Sequence, residues 1–159
     1  MPRFEPELTI TQPLLDRLTD SDPSVPADPP VTRAQSFRSF KAALRRDLEW
    51  LLNTRQTPLR APENYRQLSR SLYNYGLPDL MALSAQSARD RNMLQRCLQE
   101  TVELFEPRLS NVRVFAEAGA ANGRMLRFRI EGWARIDPAP EQVSFDTVLE
   151  LTSGQYQVR

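Results

Sequence analysis

The chain has 159 residues, a formal net charge of +1 and 40% hydrophobic residues, which is typical of one globular domain. It contains no histidine and one cysteine, and Lys41 is the single lysine among 21 basic residues. These counts exclude Ser-His-Asp and Cys-His catalysis, internal disulfides, and zinc sites built on histidine or several cysteines. They also leave no strong basic bias of the kind that accompanies nucleic-acid binding.

The N-terminal segment, residues 1–31, holds seven of the 13 prolines and is predicted to be a tail before a single domain at residues 32–159. Within it, Leu14, Leu15 and Leu18 have helical spacing and indicate a short possible helix at 13–19. That helix either docks on the domain or on a partner, or is a frayed turn. Prolines and glutamates stand where a signal peptide has its basic and apolar regions, so we expect a cytoplasmic protein.

Two helices are predicted next. The first begins after Thr32, which forms a T-x-x-Q capping box with Gln35, and its apolar residues recur at steps of three and four up to about Asn53. The second runs from Glu63 to about Tyr73, and Gly76 closes it at a position that requires positive φ.

A third helix is predicted from about Ser87 to Phe105, where Pro107 stops it. The proline stands between Glu106 and Arg108 and fixes the direction of an acid relative to an arginine. This Glu-Pro-Arg corner either presents a charged fork to another chain or locks the helix to the following sheet.

From residue 111 onward the hydrophobic period changes to two, which predicts consecutive strands with a hairpin loop at 119–123. We therefore expect an α+β fold with three helices packed on one face of a three- to four-stranded antiparallel meander. The last strand, Gln155 to Arg159, leaves unpaired backbone groups at the sheet edge unless another element covers it. Such an edge can serve as a template on which another chain adds a strand.

Carboxylate chemistry, the single lysine or no catalysis remain, and a carboxylate pair is the strongest candidate for catalysis. Glu103 and Glu106 are three residues apart on the third helix, which places their Cβ atoms about 5–6 Å apart. Retaining glycosidases hold two carboxyl groups at about 5 Å. A catalytic acid also requires a cleft that raises its pKa, and the sequence indicates none.

The outward face of the predicted sheet is rich in arginine and carries two aromatic residues, Phe115 and Trp133. RNA-binding modules can stack bases on such a face. Acidic residues on the same strands can instead pair with the arginines and leave a solvated or partner-covered face. The arginines are Arg113, Arg127, Arg129 and Arg135.

Four short motifs together resemble the TssE family, a baseplate subunit of type VI secretion systems that is related to the small lysozyme-like wedge protein of contractile phage baseplates. They are LLDRL at 14–18, DLEWLLNTR at 47–55, NYGLPD at 74–79 and FEPRL at 105–109. The resemblance covers about residues 10–150, and the LLNTR and YGLPD motifs together are specific.

The resemblance implies a structural subunit, without catalysis or cofactors, on the cytosolic side of the inner membrane. Its implied partners are the baseplate subunits TssF, TssG and TssK, the sheath subunits TssB and TssC, and the VgrG hub. It also implies that the last strand templates sheath polymerisation by strand addition. We expect the chain to stop after this strand, without the extensions by which sheath subunits link onward to their neighbours. The residues expected to contact partners lie in the corner, the two specific motifs and the last strand: Glu106, Pro107, Arg108, Arg55, Tyr75, Gly76, Pro78, Asp79, Tyr156 and Val158.

Overall fold

The computed structural model describes residues 9–19, 24, 30–59, 62, 64–79, 87–117 and 125–159. Its helices are α1 (Leu14–Leu18), α2 (Arg33–Asn53), α3 (Arg66–Ser69) and α4 (Ala88–Phe105), with a 3-10 helix at Leu72–Asn74. Its strands are β1 (Leu109–Glu117), β2 (Met125–Ala134), β3 (Glu141–Glu150) and β4 (Gln155–Val158). The predicted hairpin loop at 119–123 lies outside the described residues.

The four strands form one antiparallel sheet in the order β1-β2-β3-β4, which confirms the predicted α+β class and the meander. Alternate residues of each strand face a single core, and the two long helices α2 and α4 supply the other half of that core. Burying one face of a sheet against amphipathic helices is the principal source of stability in this architecture. The fully buried side chains at its centre include Phe128, Ile130, Leu44, Leu48 and Leu98.

Both long helices begin as their local sequence predicts. The Thr32 side chain accepts a hydrogen bond from the backbone N–H of Gln35, whose own side chain accepts one from the Thr32 backbone N–H. At α4, the Ser87 side chain accepts from the N–H of Asp90. These caps satisfy backbone donors that have no partner within the helix. Helix α4 ends at Phe105, one residue before the Glu-Pro-Arg corner.

The predicted second helix is wrong in extent, because α3 has four residues and a separate 3-10 helix follows it. Side chains compete here for the backbone: Ser71 Oγ accepts from the N–H of Tyr73, and Asn74 Nδ2 donates to the carbonyl of Ser69. No residue of α3 is buried, and Leu72 is 83% exposed, so packing does not stabilise a longer helix. Glu63 lies outside the described residues.

Part of the proline-rich N-terminal segment packs against α2. Ile10 is buried, its backbone N–H donates to Ser36 Oγ at 3.1 Å, and Gln12 Nε2 donates to the Ser36 carbonyl at 2.9 Å. Helix α1 follows with its three leucines exposed. The domain boundary at residue 31 stays a prediction, and these contacts cross it.

Candidate functional site

In the Glu-Pro-Arg corner, Glu106 and Arg108 form an ion pair with each other. Glu106 caps the C-terminus of α4 and is 5% exposed. Arg108 donates from Nε to Glu106 Oε1 at 2.6 Å, from its backbone N–H to the same oxygen at 3.2 Å, and from Nη2 to Oε2. Both oxygens of the buried carboxylate are therefore occupied by one arginine across the proline, and this charge-assisted pairing holds helix end and strand start in one geometry.

The ion pair continues onto α2 and α1. Arg108 Nη2 also donates to Asp47 Oδ2 at 2.8 Å, and Asp47 Oδ1 accepts from Arg46 Nη2 at 2.9 Å. Arg46 Nη1 in turn reaches Asp16 Oδ1 at 2.6 Å. We call these five residues the charge chain. Its signs alternate from end to end, and it joins α1, α2 and the strand entry after α4.

Pairing within the charge chain favours the ionised forms of Arg108, Arg46 and Asp16. Burial by itself lowers the pKa of the Arg108 guanidinium, but the hydrogen bonds and charges of Glu106 and Asp47 outweigh it, so the pKa is raised. The hydrogen bond from Arg46 holds the pKa of the Asp16 carboxyl below its ordinary value, and Asp16 in return raises the pKa of Arg46. These three groups are thus charged at neutral pH and act as ion-pair partners.

A surface depression of about 460 Å³ is lined by aromatic and proline side chains, by two leucines, and by three residues of the charge chain. Tyr75 packs edge-to-face on Phe105, with ring centroids 5.3 Å apart. Trp50 is 53% exposed, and the guanidinium of Arg46 lies 5.0 Å from its ring centroid. Trp50 is thus exposed and Tyr75 is half-buried. Tryptophan, tyrosine and arginine are the residue types that contribute most to binding energy in protein interfaces.

The two specific motifs of the resemblance, LLNTR and YGLPD, lie next to each other in the structure. Residues 55 and 77 form a parallel bridge, in which the Leu77 N–H donates to the Thr54 carbonyl at 2.9 Å and the Gln56 N–H donates to the Leu77 carbonyl at 2.8 Å. Arg55 and Asp79 form an exposed ion pair at 3.0 Å. The structure therefore brings LLNTR and YGLPD together, as two segments of one junction that closes the end of α2.

Gly76 makes that junction possible. Its φ is 102°, which confirms the predicted positive φ, and a Cβ added there would lie 2.3 Å from the carbonyl oxygen of Thr54. The next residues, Leu77 and Pro78, line a cavity of about 80 Å³ that reaches Tyr156 on β4. Gly76 thus acts through backbone packing, and any partner contact through it stays a prediction.

The outer edge of β4 is covered by side chains of α2. Asn53 Nδ2 donates to the Tyr156 carbonyl at 2.8 Å, and the Tyr156 N–H donates back to Asn53 Oδ1 at 2.8 Å. The Val158 N–H donates to Glu49 Oε2 at 3.2 Å. The side chains of Tyr156 and Val158 are buried in the core, so another chain can reach these residues through their backbone alone. Sequence reasoning missed Asn53 and Glu49, whose one signal is a four-residue spacing on the polar side of α2.

The two candidate catalytic acids have different surroundings. Glu103 is exposed and accepts a hydrogen bond from Gln99 Nε2 at 3.0 Å, whereas Glu106 is buried against Arg108.

Within the described residues, no group of three or more Cys, Asp and Glu side chains could hold a metal ion, and no helix is long and apolar enough to cross a membrane. On the outward face of the sheet, Arg129 forms ion pairs with Glu117 at 2.6 Å and with Asp146 at 3.0 Å.

Comparison with known proteins gives one family. The model of the family described as baseplate wedge protein gp25 matches residues 38–139, which is more than half of the chain. The matched segment includes most of α2, the junction, the Glu-Pro-Arg corner and strands β1 and β2. A search of curated proteins returned no match.

Proposed function

Because the chain belongs to the baseplate wedge protein gp25 family, which is the family of TssE and is structural, we propose that it is a structural subunit of a type VI secretion baseplate wedge. In this proposal it connects the wedge to the contractile sheath on the cytosolic side of the inner membrane, without catalysing a reaction. One observation carries the proposal beyond the family: every residue of the charge chain is paired with another residue of it, and the chain borders the exposed aromatic depression.

The depression is the proposed contact with the other wedge subunits TssF, TssG and TssK and, at the centre of the baseplate, the VgrG hub. Trp50 offers a large exposed apolar surface there, and the charge chain below it holds α1, α2 and the corner in fixed positions. A rigid surface loses little conformational freedom on binding, which favours affinity. The corner therefore supports the contact by fixing its shape, while Trp50, Tyr75 and Pro107 supply the area.

The contact with the sheath subunits TssB and TssC is proposed to use β4. This strand is the last of the meander, and its outward backbone groups are held by two side chains of α2 rather than by another strand. The peptide groups of an incoming strand can replace these side-chain partners, because the strand then forms hydrogen bonds in place of those that are lost. Strand addition at β4 would extend the sheet without moving its core.

Catalysis has no support from the geometry of the acids. A peptidoglycan hydrolase of the lysozyme type requires one carboxyl that gives a proton to the leaving group. Both oxygens of Glu106 accept hydrogen bonds from Arg108, and Glu103 is exposed. We propose that Glu106 serves structure and that neither acid serves hydrolysis.

The test is affinity purification of the tagged chain from its native cell, with two tryptophan variants. Trp50→Ala removes the exposed ring in the depression, whereas Trp133→Ala removes a ring of similar exposure, 43%, on the opposite sheet face. We expect the wild type and Trp133→Ala to recover TssF and TssG, and Trp50→Ala to recover them at least roughly tenfold less well. Full recovery of TssF and TssG by Trp50→Ala would show that the depression is not the contact. The absence of wedge subunits from the wild-type eluate would refute the proposed function.

A further inference from the structure

The outer edge of β4 has a defined set of hydrogen-bonding groups. Arg159 pairs with Asp146 of β3 through the backbone. The Arg159 N–H donates to the Asp146 carbonyl at 2.8 Å, and the Arg159 carbonyl accepts from the Asp146 N–H at 3.1 Å. Successive residues of an antiparallel strand direct their backbone groups to opposite sides. The N–H and C=O groups of Tyr156 and Val158 therefore point away from β3, toward the free edge of the sheet.

Two side chains of α2 take the place of a fifth strand at this edge. Asn53 exchanges two hydrogen bonds with Tyr156, as a residue of a neighbouring strand would, and Glu49 accepts from Val158. The spacing explains why one helix can do this. Four residues of a helix rise about 6 Å, and two residues of a strand span about 6.8 Å, so Glu49 and Asn53 match Val158 and Tyr156.

We propose that Glu49 and Asn53 form a side-chain clamp that keeps β4 from pairing with β4 of a second copy of this chain. The edge is self-complementary. When two copies of β4 lie antiparallel with Gln157 at the centre, Tyr156 of each copy stands opposite Val158 of the other, and each such pair exchanges two hydrogen bonds. These are the groups that the clamp occupies.

The same pairing preserves the faces of the sheet. Tyr156 and Val158 point into the core, while Gln155, Gln157 and Arg159 are exposed, so two copies related by a two-fold axis continue one sheet with helices on one side. An uncovered edge of this kind is a general hazard for proteins with open sheets. Asn53 itself is exposed, so the clamp can open without unfolding the core.

The clamp also has a consequence for the proposed function, although it does not depend on it. A sheath strand that adds to β4 must displace Asn53 and Glu49, since both occupy the outward groups of the strand. The clamp would then keep free subunits apart until a partner strand arrives. The experiment below uses purified protein only, so its result is independent of whether the chain binds sheath or wedge subunits.

The first measurement is amide hydrogen exchange in the wild type and in Asn53→Ala. We expect the Tyr156 amide to exchange at least roughly tenfold faster in the variant, because its acceptor is gone, while the Arg159 amide keeps its rate through its bond to Asp146. Asn53→Leu, which retains the approximate size of the side chain but has neither the acceptor nor the donor, provides a second variant if alanine impairs folding. Unchanged exchange at Tyr156 in a folded variant would overturn the clamp.

The second measurement is sedimentation velocity at about 100 µM. We expect the Glu49→Ala/Asn53→Ala double variant to dimerise and the wild type to remain monomeric. Gln99→Ala, which removes a half-buried amide that bonds Glu103 on α4, is the matched control and should also remain monomeric.

A synthetic peptide of residues 153–159 should dissociate the double-variant dimer, and the same peptide N-methylated at Tyr156 and Val158 should not, because it lacks the required donors. A double variant that stays monomeric, or a dimer that responds equally to both peptides, would overturn the proposal.

Discussion

Neutralising Glu106 tests whether the corner is an internal lock. Glu106→Gln retains the size of the side chain but places an NH₂ group against the Arg108 guanidinium, so two donors face each other. Removing one partner of a buried ion pair destabilises a protein by about 3–5 kcal/mol. Arg108 is 25% exposed and retains Asp47 at 2.8 Å, which reduces the loss. We therefore expect a decrease of about 2–3 kcal/mol in the free energy of unfolding.

The assay is urea denaturation at neutral pH of Glu106→Gln, Arg108→Met and the double variant. Because the two side chains bond each other, the double variant should be about 2 kcal/mol more stable than the sum of the single effects predicts. Asp79→Asn serves as the control, since its ion pair with Arg55 is exposed and should contribute less.

Two results would refute this reasoning. One is a Glu106→Gln protein that lies within about 0.5 kcal/mol of the wild type, which is the range of ordinary surface substitutions. The other is a coupling energy near zero between Glu106 and Arg108, which would mean that the buried carboxylate is stabilised by something other than the arginine.

Three further predictions concern the junction, α1 and the core. Gly76→Ala should lower the free energy of unfolding by about 2–4 kcal/mol, because φ is 102° and the new Cβ would lie 2.3 Å from the Thr54 carbonyl oxygen. Gly132→Ala should lower it less, because a Cβ added there has its nearest contact at 3.4 Å. Equal thermal midpoints of the two variants would contradict this expectation. The pKa of Asp16 is lowered in the folded chain, so its pairing with Arg46 should persist from neutral pH to about pH 4 and be lost as the pH falls through the lowered pKa. NMR spectra of α1 amides should show this transition in the wild type and not in Asp16→Asn, and a transition near pH 6 would contradict it. Tyr156→Phe should stabilise the protein by about 0.5–2 kcal/mol in urea denaturation, because the described residues offer the buried hydroxyl no partner and burial raises its pKa; destabilisation would reveal a bond to that hydroxyl.

The elements that the sequence predicts correctly are those with strong local signals. The capping box at Thr32, the apolar stripe of α4 and the positive φ at Gly76 each depend on residues within a few positions of one another. The second helix was predicted wrongly because its short-range competitors, the Ser71 and Asn74 side chains, have no periodic pattern and no core contact opposes them.

The candidate site divides in the same way. The sequence by itself determined the corner, since a proline between an acid and an arginine restricts the chain locally. It did not determine that Arg108 would reach Asp47, which is 61 residues away, or that Asn53 would bond Tyr156, which is 103 residues away. Only the tertiary structure decided those pairings. Apolar packing of α2 against the sheet sets the distance between the elements, and the polar side chains at the margins of that packing then pair with whatever group it brings within reach.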